Sequence, residues 1–122
     1  MTKKQIDKML LKGCEAGDFN KVRLALNFGA DMGAKTNLGW TPLHVASEFN
    51  RISIAKLLIE RGADLEAKDI SEQTPLHLAS FWNRIETAKL LLDAGADLEA
   101  KDRWGNTPFD NARSDEMKDL LK

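Results

Sequence analysis

A short motif that returns every 33 residues constrains this chain more than any other feature of its sequence. TPLH occupies residues 41–44 and again 74–77, and TPFD follows at the same spacing, at residues 107–110. The two complete units, residues 36–68 and 69–101, are identical at 20 of 33 aligned positions. A period of this length is typical of repeat architectures, in which each unit is one small supersecondary structure stacked on its neighbours.

Each unit contains the signals for two short helices and a connecting loop. Thr41 followed by Pro42 supplies a hydroxyl cap and a proline at the first helical position. The same pair begins the next unit and, at residues 107–108, the shorter last one. We expect each first helix to end at its asparagine, Asn50 or Asn83, because asparagine tolerates the left-handed backbone just past a helix end.

Apolar residues along the second helix define a stripe that must be buried. In the first complete unit this stripe consists of Ile52, Ile54, Ala55, Leu57 and Leu58. The helix should end at Gly62, the residue type best suited to a left-handed stop. One helix pair is too narrow to bury such a stripe, so neighbouring pairs must stack and share a core. The sequence therefore predicts an all-α fold, a solenoid of helix-turn-helix units with hairpin-like loops.

The two ends of the chain carry shorter versions of the unit. Near the N-terminus, Thr2 and Gln5 have the spacing of a capping box, and the C-terminal residues form a short apolar helix pattern. We expect a single domain over residues 1–122, composed of an N-terminal cap at 1–35, repeats at 36–68 and 69–101, and a C-terminal cap at 102–122.

Charge and cysteine content argue against several classes of function. The net charge of -1 provides no basic field of the kind that attracts nucleic-acid phosphates. Residues 1–12 alternate charged and apolar side chains, without the apolar run of a signal peptide or membrane span. The single cysteine, Cys14, lies on an apolar stripe and fits a buried thiol in a reducing compartment. We expect a cytoplasmic protein, monomeric when free, that binds neither nucleic acid nor membranes.

The TPLH motifs, the helix pairs and GAD at residues 62–64 and 95–97 resemble the ankyrin repeat over essentially the whole chain. The unit is also similar to the consensus of designed ankyrin-repeat proteins, which are engineered binders. The resemblance implies a non-catalytic protein-binding module. It also implies that the loops and first helices line a concave surface, while the second helices form the convex back.

The resemblance further implies which positions contact a partner. Six positions vary in each unit of the engineered binders, and the two complete units of this chain differ at all six, among 13 differences in total. Carried over to this chain, these positions and their continuation in the last unit predict the partner-binding residues Asn37, Leu38, Trp40, Glu48, Phe49, Arg61, Ile70, Ser71, Gln73, Phe81, Trp82, Arg103, Trp104 and Asn106.

Aromatic residues indicate the same surface without reference to a family. Phe81 lies five residues after the core-facing leucine of its helix, about 140° around the axis, and should point outward. Trp82 is also off the buried stripe, and Trp40 and Trp104 occupy loop tips. Together with Phe49 they should form one exposed face, and such patches mark interfaces. The alternative is that Phe49 and Trp82 pack between repeats.

One loop departs from the repeated pattern. Glu72 stands where the other two loops have Gly39 and Gly105. If this position needs a positive φ, the glutamate introduces a small backbone strain.

Histidines and acidic loop residues are the candidates for catalytic or metal-binding groups in this sequence. His44 and His77 occupy equivalent places in stacked helices, too far apart to share one zinc ion. We therefore expect each imidazole to bond nearby backbone and fix a loop. Asp64, Glu66 and Asp69 lack the glycine and the closing glutamate of a calcium loop, so we expect solvated side chains.

The sequence thus predicts a non-enzymatic protein that binds a folded protein partner through a concave aromatic surface, with no cofactor and no metal. Arg51, Arg61 and Arg84 would supply polar contacts at its rim. One alternative is a structural or design scaffold without a natural target, and another is a small-molecule binder in the concave groove. Self-association through the aromatic face is a further alternative.

Overall fold

Seven helices arranged in two layers account for the regular structure of this chain. The computed structural model describes residues 1–122 and contains no strand, which confirms the all-α solenoid. The helices are α1 Lys3–Ala16, α2 Phe19–Asn27, α3 Pro42–Glu48, α4 Ile52–Glu60, α5 Pro75–Phe81, α6 Ile85–Asp93 and α7 Asp115–Leu120. In one layer α3 packs between α1 and α5, and in the other α4 packs between α2 and α6, with α7 against α6. None of these helices combines the length and apolar character needed to cross a membrane.

The first helix of each complete unit begins as its motif predicts. The Thr41 hydroxyl accepts a hydrogen bond from the His44 backbone N–H, and the His44 ring accepts one from the Thr41 N–H. This reciprocal cap, with proline at the first helical position, recurs in α5. The predicted ends are also confirmed, since Asn50 and Asn83 both have φ of 57°.

The third Thr-Pro pair does not begin a helix, contrary to the prediction. Residues 108–111 form a single turn held by i→i+3 backbone hydrogen bonds. The reason is the length of the segment. Thr74, which caps α5, lies ten positions before Arg84, which caps α6. Thr107 lies only seven positions before Ser114, which caps α7. The three missing residues leave no room for a second turn before α7 begins.

One apolar core runs through all the units between the two layers. Its largest fully buried apolar side chains are Leu10, Leu43, Leu58, Leu76, Leu91 and Met117. Within α4 the buried residues are Ile54, Ala55 and Leu58, whereas Ile52 is 40% exposed and Leu57 is half-buried. The stripe is therefore narrower than the sequence predicts, because only one side of this helix faces the neighbouring layer.

The loops between units are hairpin-like turns that stack on one another. Asp69 is buried rather than solvated, which corrects the prediction, because its Oδ1 accepts the N–H groups of Ser71 and Gln73. The backbone N–H of Ile70 donates to the carbonyl of Leu38 in the preceding loop, at 3.0 Å. Asp102 closes the next loop in the same way, whereas the Thr36 hydroxyl accepts the corresponding N–H groups in the first loop. Successive loops are thus closed internally and docked on one another.

The position before the last residue of each loop needs a left-handed backbone. Gly39 has φ of 76°, and a Cβ there would lie 2.9 Å from the Ile70 nitrogen. Glu72 has φ of 59° at the aligned position, so the condition under which strain is expected there is met.

The buried side of α4 can be tested with Leu58→Ala. This change should destabilise the fold by about 2–5 kcal/mol, because it leaves a cavity between the layers. Ile52→Ala in the same helix is the control and should cost less than about 1 kcal/mol, since that side chain is partly in solvent. Urea unfolding measures both, and an equal loss would contradict the assigned helix face.

The strain at Glu72 can be tested with Glu72→Gly. Glycine adopts a positive φ freely, so the free energy of unfolding should rise by roughly 0.5–1 kcal/mol, even though glycine adds entropy to the unfolded chain. Glu99→Gly, an exposed loop position without a positive φ, should only destabilise. A loss of stability in both variants would show that Glu72 is not strained.

Candidate functional site

Loop tips and helix ends from three consecutive units enclose one groove, which we call the aromatic groove. Trp40 precedes α3, Phe81 and Trp82 end α5, and Trp104 lies in the next loop. The groove has a volume of about 300 Å³ and is lined by Trp40, Glu48, Gln73, Leu78, Phe81, Trp82, Asp102, Trp104, Asn106 and Asn111. No lining residue comes from a second helix.

The end of α5 presents two aromatic rings side by side. Phe81 is the last helical residue and Trp82 the residue that caps it, after which Asn83 turns the chain into α6. The two rings meet edge to face, with centroids 5.1 Å apart. Trp82 is 44% exposed and Phe49, at the equivalent position of α3, is 39% exposed. Both therefore lie at the surface and are not buried between repeats.

Trp40 is held more firmly than a loop-tip residue would be. It is half-buried against the core, and its indole N–H donates to Asp69 Oδ2 at 3.0 Å. The expectation that a loop position would leave this ring exposed is therefore wrong in part. The bond fixes the ring as a rigid wall of the aromatic groove.

Two carboxylates line the same groove. Glu48 Oε2 is buried and accepts no hydrogen bond from the protein. Burial raises the pKa of Glu48, the positive charge of Arg84 opposes this rise, and the negative charge of Glu15 adds to it. Asp102 is buried, and its Oδ1 accepts the backbone N–H groups of Trp104 and Asn106.

A second hollow of about 350 Å³ adjoins the aromatic groove, and Trp40 is common to both. Half of the fourteen predicted residues line the aromatic groove, namely Trp40, Glu48, Gln73, Phe81, Trp82, Trp104 and Asn106. Asn37, Leu38 and Phe49 line the second hollow. These two sets share one continuous stretch of surface around Trp40.

The remaining predicted residues lie elsewhere. Ile70, Ser71 and Arg103 belong to the row of stacked loops, where the Arg103 side chain donates to the Ile70 carbonyl. Arg61 caps α4 and donates to Asn27 at the end of α2, so it lies in the layer of second helices. The rim arginines Arg51 and Arg84 are engaged with backbone carbonyls of Glu15 and Glu48.

Several residues of this surface escaped sequence reasoning. Leu78, Asp102 and Asn111 line the aromatic groove, and the guanidinium carbon of Arg113 lies 4.3 Å from the centroid of the Phe81 ring. Leu78 aligns with Val45 of the preceding unit, and a difference at an aligned position can indicate a variable surface. Asn111 and Arg113 offered none, because they belong to the segment whose helix was wrongly predicted.

The two histidines join neighbouring units, and both rings are buried where a substrate cannot contact them. His44 Nδ1 accepts the Thr41 N–H at 3.1 Å, so Nε2 bears the proton and donates to the Gln73 carbonyl at 2.8 Å. His77 repeats this with the carbonyl of Asn106, also at 2.8 Å. These bonds agree with the predicted loop-fixing role.

No other group suggests a reaction centre. No three His, Cys, Asp or Glu side chains lie close enough together to hold a metal ion. Cys14 is buried, and burial raises the pKa of its thiol to about 12. The thiol therefore stays protonated at neutral pH and is a poor nucleophile.

Comparisons with known proteins identify the repeat. The family model described as "Ankyrin repeats (3 copies)" matches residues 8–102. A stretch of 54 residues, 43% of this chain, is 41% identical to part of the mouse (Mus musculus) protein named 2-5A-dependent ribonuclease. The matched stretch is 7% of that protein's length. The similarity therefore concerns a small part of the mouse protein.

The neutral state of His44 predicts a pH dependence of stability. Burial lowers the pKa of His44 below its ordinary value of 6.5, although the bond to Gln73 and the charge of Asp69 oppose this. The unfolded chain therefore takes up a proton first as pH falls. The contribution of the neutral ring is fully present above about pH 6.5 and is lost progressively below it.

His44→Gln tests this assignment in thermal melts at several pH values. The variant should be less stable at neutral pH by roughly 1–3 kcal/mol, since buried partners lose a hydrogen bond. It should also lose less stability than the wild type between about pH 7.5 and pH 5. The raised pKa of Glu48 makes its own contribution to stability increase as pH falls, which is opposite to the effect of His44. Both proteins contain Glu48, so this effect cancels when their pH profiles are compared. Parallel pH profiles would contradict the role of His44.

Proposed function

This chain belongs to the ankyrin-repeat family, and from that premise we propose that it recognises a folded protein through the aromatic groove and the adjoining loop row. Ankyrin repeats generally mediate binding between proteins, and the family is generally non-catalytic. The proposed module needs no cofactor or metal. Its partner would contact the first helices and loops, and the second helices would remain free.

The observation that supports this proposal most is the convergence of four large aromatic side chains on one groove. Aromatic rings on a rigid frame bury much apolar area and lose little entropy on binding, so they dominate interface energies. Trp104 is 67% exposed, and Phe81 and Trp82 also present open ring surface. An exposed aromatic cluster of this kind favours a partner surface.

A small-molecule site is the weaker alternative. Pockets for such ligands measure about 300–1,000 Å³ and enclose most of the ligand surface. The aromatic groove is at the lower end of this range and is partly open to solvent. A protein surface that covers both the groove and the second hollow fits this shape better.

We extend the proposal to the organisation of the chain. Residues 36–68 and 69–101 would be the full repeats, with caps at 1–35 and 102–122 that close the core. Similarity of these units to engineered binders supports a designed origin, in which the six variable positions encode the target. The single buried thiol of Cys14 supports a reducing, cytoplasmic setting, and the chain would be monomeric until it binds.

The proposed surface can be tested by capture and mass spectrometry with the variant Phe81→Ala/Trp82→Ala as bait. A partner retained by the wild type should be lost from this variant, and each single change should cost roughly 2 kcal/mol of binding, about thirtyfold in Kd. Trp40→Ala should cost as much but also lower the melting temperature, because it breaks the bond to Asp69. Trp104→Ala should cost less, because this residue lies nearer the end of the repeat array.

Phe28→Ala is the matched control, since Phe28 is 58% exposed at the end of α2 and lines neither hollow. Lys56→Ala on α4 controls for the opposite face. Both should bind as the wild type does, as measured by calorimetry. If these two changes abolished binding and the groove variants did not, the proposed surface would be wrong.

A further inference from the structure

One oxygen of a partly buried carboxylate in the aromatic groove, that of Glu48, lacks a hydrogen-bond donor. Glu48 Oε2 is shielded from solvent and accepts no bond from the protein. Arg84, whose positive charge acts on this carboxylate, does not donate to Oε2, and its Nε–H donates to the backbone carbonyl of Glu48 at 2.9 Å. Buried polar atoms nearly always have a partner, and a carboxylate without one is energetically unfavourable. Because the Glu48 side chain as a whole is partly exposed, its carboxylate can meet a donor from outside the chain in the groove.

The rings around this carboxylate favour a cationic donor. The face of an aromatic ring attracts ammonium and guanidinium groups, most strongly for tryptophan. Phe81 already shows this preference, because the Arg113 guanidinium lies over its ring at 4.3 Å. Arg113 is not among the residues that line the groove, so this contact leaves the groove itself open.

The charge of the lining points in the same direction. Glu48 and Asp102 line the aromatic groove, and no lysine or arginine does. In the preceding loop the second oxygen of Asp69 accepts the Trp40 indole N–H. Gln73 replaces that tryptophan in the next unit, and the second oxygen of Asp102 accepts no bond from the protein. The groove thus offers two acceptors and four aromatic rings to a positive charge.

We propose that the aromatic groove binds a lysine or arginine side chain exposed on the partner protein, with its apolar stem against the rings and its charge on Glu48. This inference rests on the proposed function and specifies the chemistry of the partner. The aliphatic stem covers apolar ring surface while the charged head meets the carboxylate, which matches the amphipathic build of both side chains.

The test uses small probes, so that no identified partner is needed. N-acetyl-arginine amide and N-acetyl-lysine amide are titrated into the isotope-labelled protein, and the indole N–H signals of the three tryptophans are followed by NMR. N-acetyl-citrulline amide, which has the shape of the arginine probe without its charge, is the matched ligand control. We expect at least one cationic probe to shift the Trp82 and Trp104 signals and to bind about tenfold more tightly than citrulline.

Glu48→Gln keeps the shape of the side chain and removes its charge. This variant should bind the cationic probe about tenfold more weakly. Its melting temperature should be unchanged or higher, because a partly buried charge has been removed. Asp93→Asn on α6 removes the same charge outside the groove and should bind as the wild type does. The inference would be overturned if neither cationic probe bound more tightly than citrulline, or if the two variants had equal effects.

Failure here is distinguishable from failure of the proposed function. If Phe81→Ala/Trp82→Ala loses a captured partner while Glu48→Gln keeps it and the probes do not discriminate charge, the binding surface stands and the cationic ligand is wrong. If the groove variants keep the partner, the proposed function itself fails.

Discussion

The hydrogen bond from each buried imidazole to the carbonyl of the next unit is the contact on which the arrangement of this molecule depends. One side of the His44 ring completes the cap of its own helix, and the other side holds the Gln73 carbonyl of the following loop. A single side chain thereby sets both where a helix begins and where the neighbouring loop lies. Because the His44 ring is buried and burial lowers its pKa, the contribution of this contact to stability is lost in acid.

The aromatic groove is a direct product of that loop placement. Trp40 and Glu48 belong to one unit, Phe81 and Trp82 to the next, and Trp104 to the loop that the second histidine fixes. No single unit contains enough of the lining to form a site. Recognition and stability are therefore joined in this fold, since the groove exists only while successive units remain docked.

The period is visible in the sequence itself. The helix starts in the complete units and the left-handed residues could also be predicted, because they follow from local backbone chemistry at Thr41, Asn50 and Glu72. Prediction failed where distant groups decide the outcome. Asp69 is buried because the Trp40 indole and two loop N–H groups surround it, and no sequence pattern shows that convergence. The site was predicted only in part, also because distant groups decide the outcome. The position of a residue within its repeat indicates which face its side chain occupies, whereas neighbouring units decide which side chains meet.

The two junctions made by His44 and His77 are built alike, with the same atoms and the same 2.8 Å bond to the following loop. Lys35 and Lys68 repeat a second bond across successive units in the same way, at 3.1 Å in both cases. These two contacts between units are therefore equivalent at both junctions. Duplication of residues 69–101 would create one new junction, between the two copies, at which the same histidine and lysine side chains face the same loop carbonyls, and it would lengthen the recognition surface by one unit. Duplication of one gene segment could thus enlarge the recognition surface, because the side chains that join the units are already repeated.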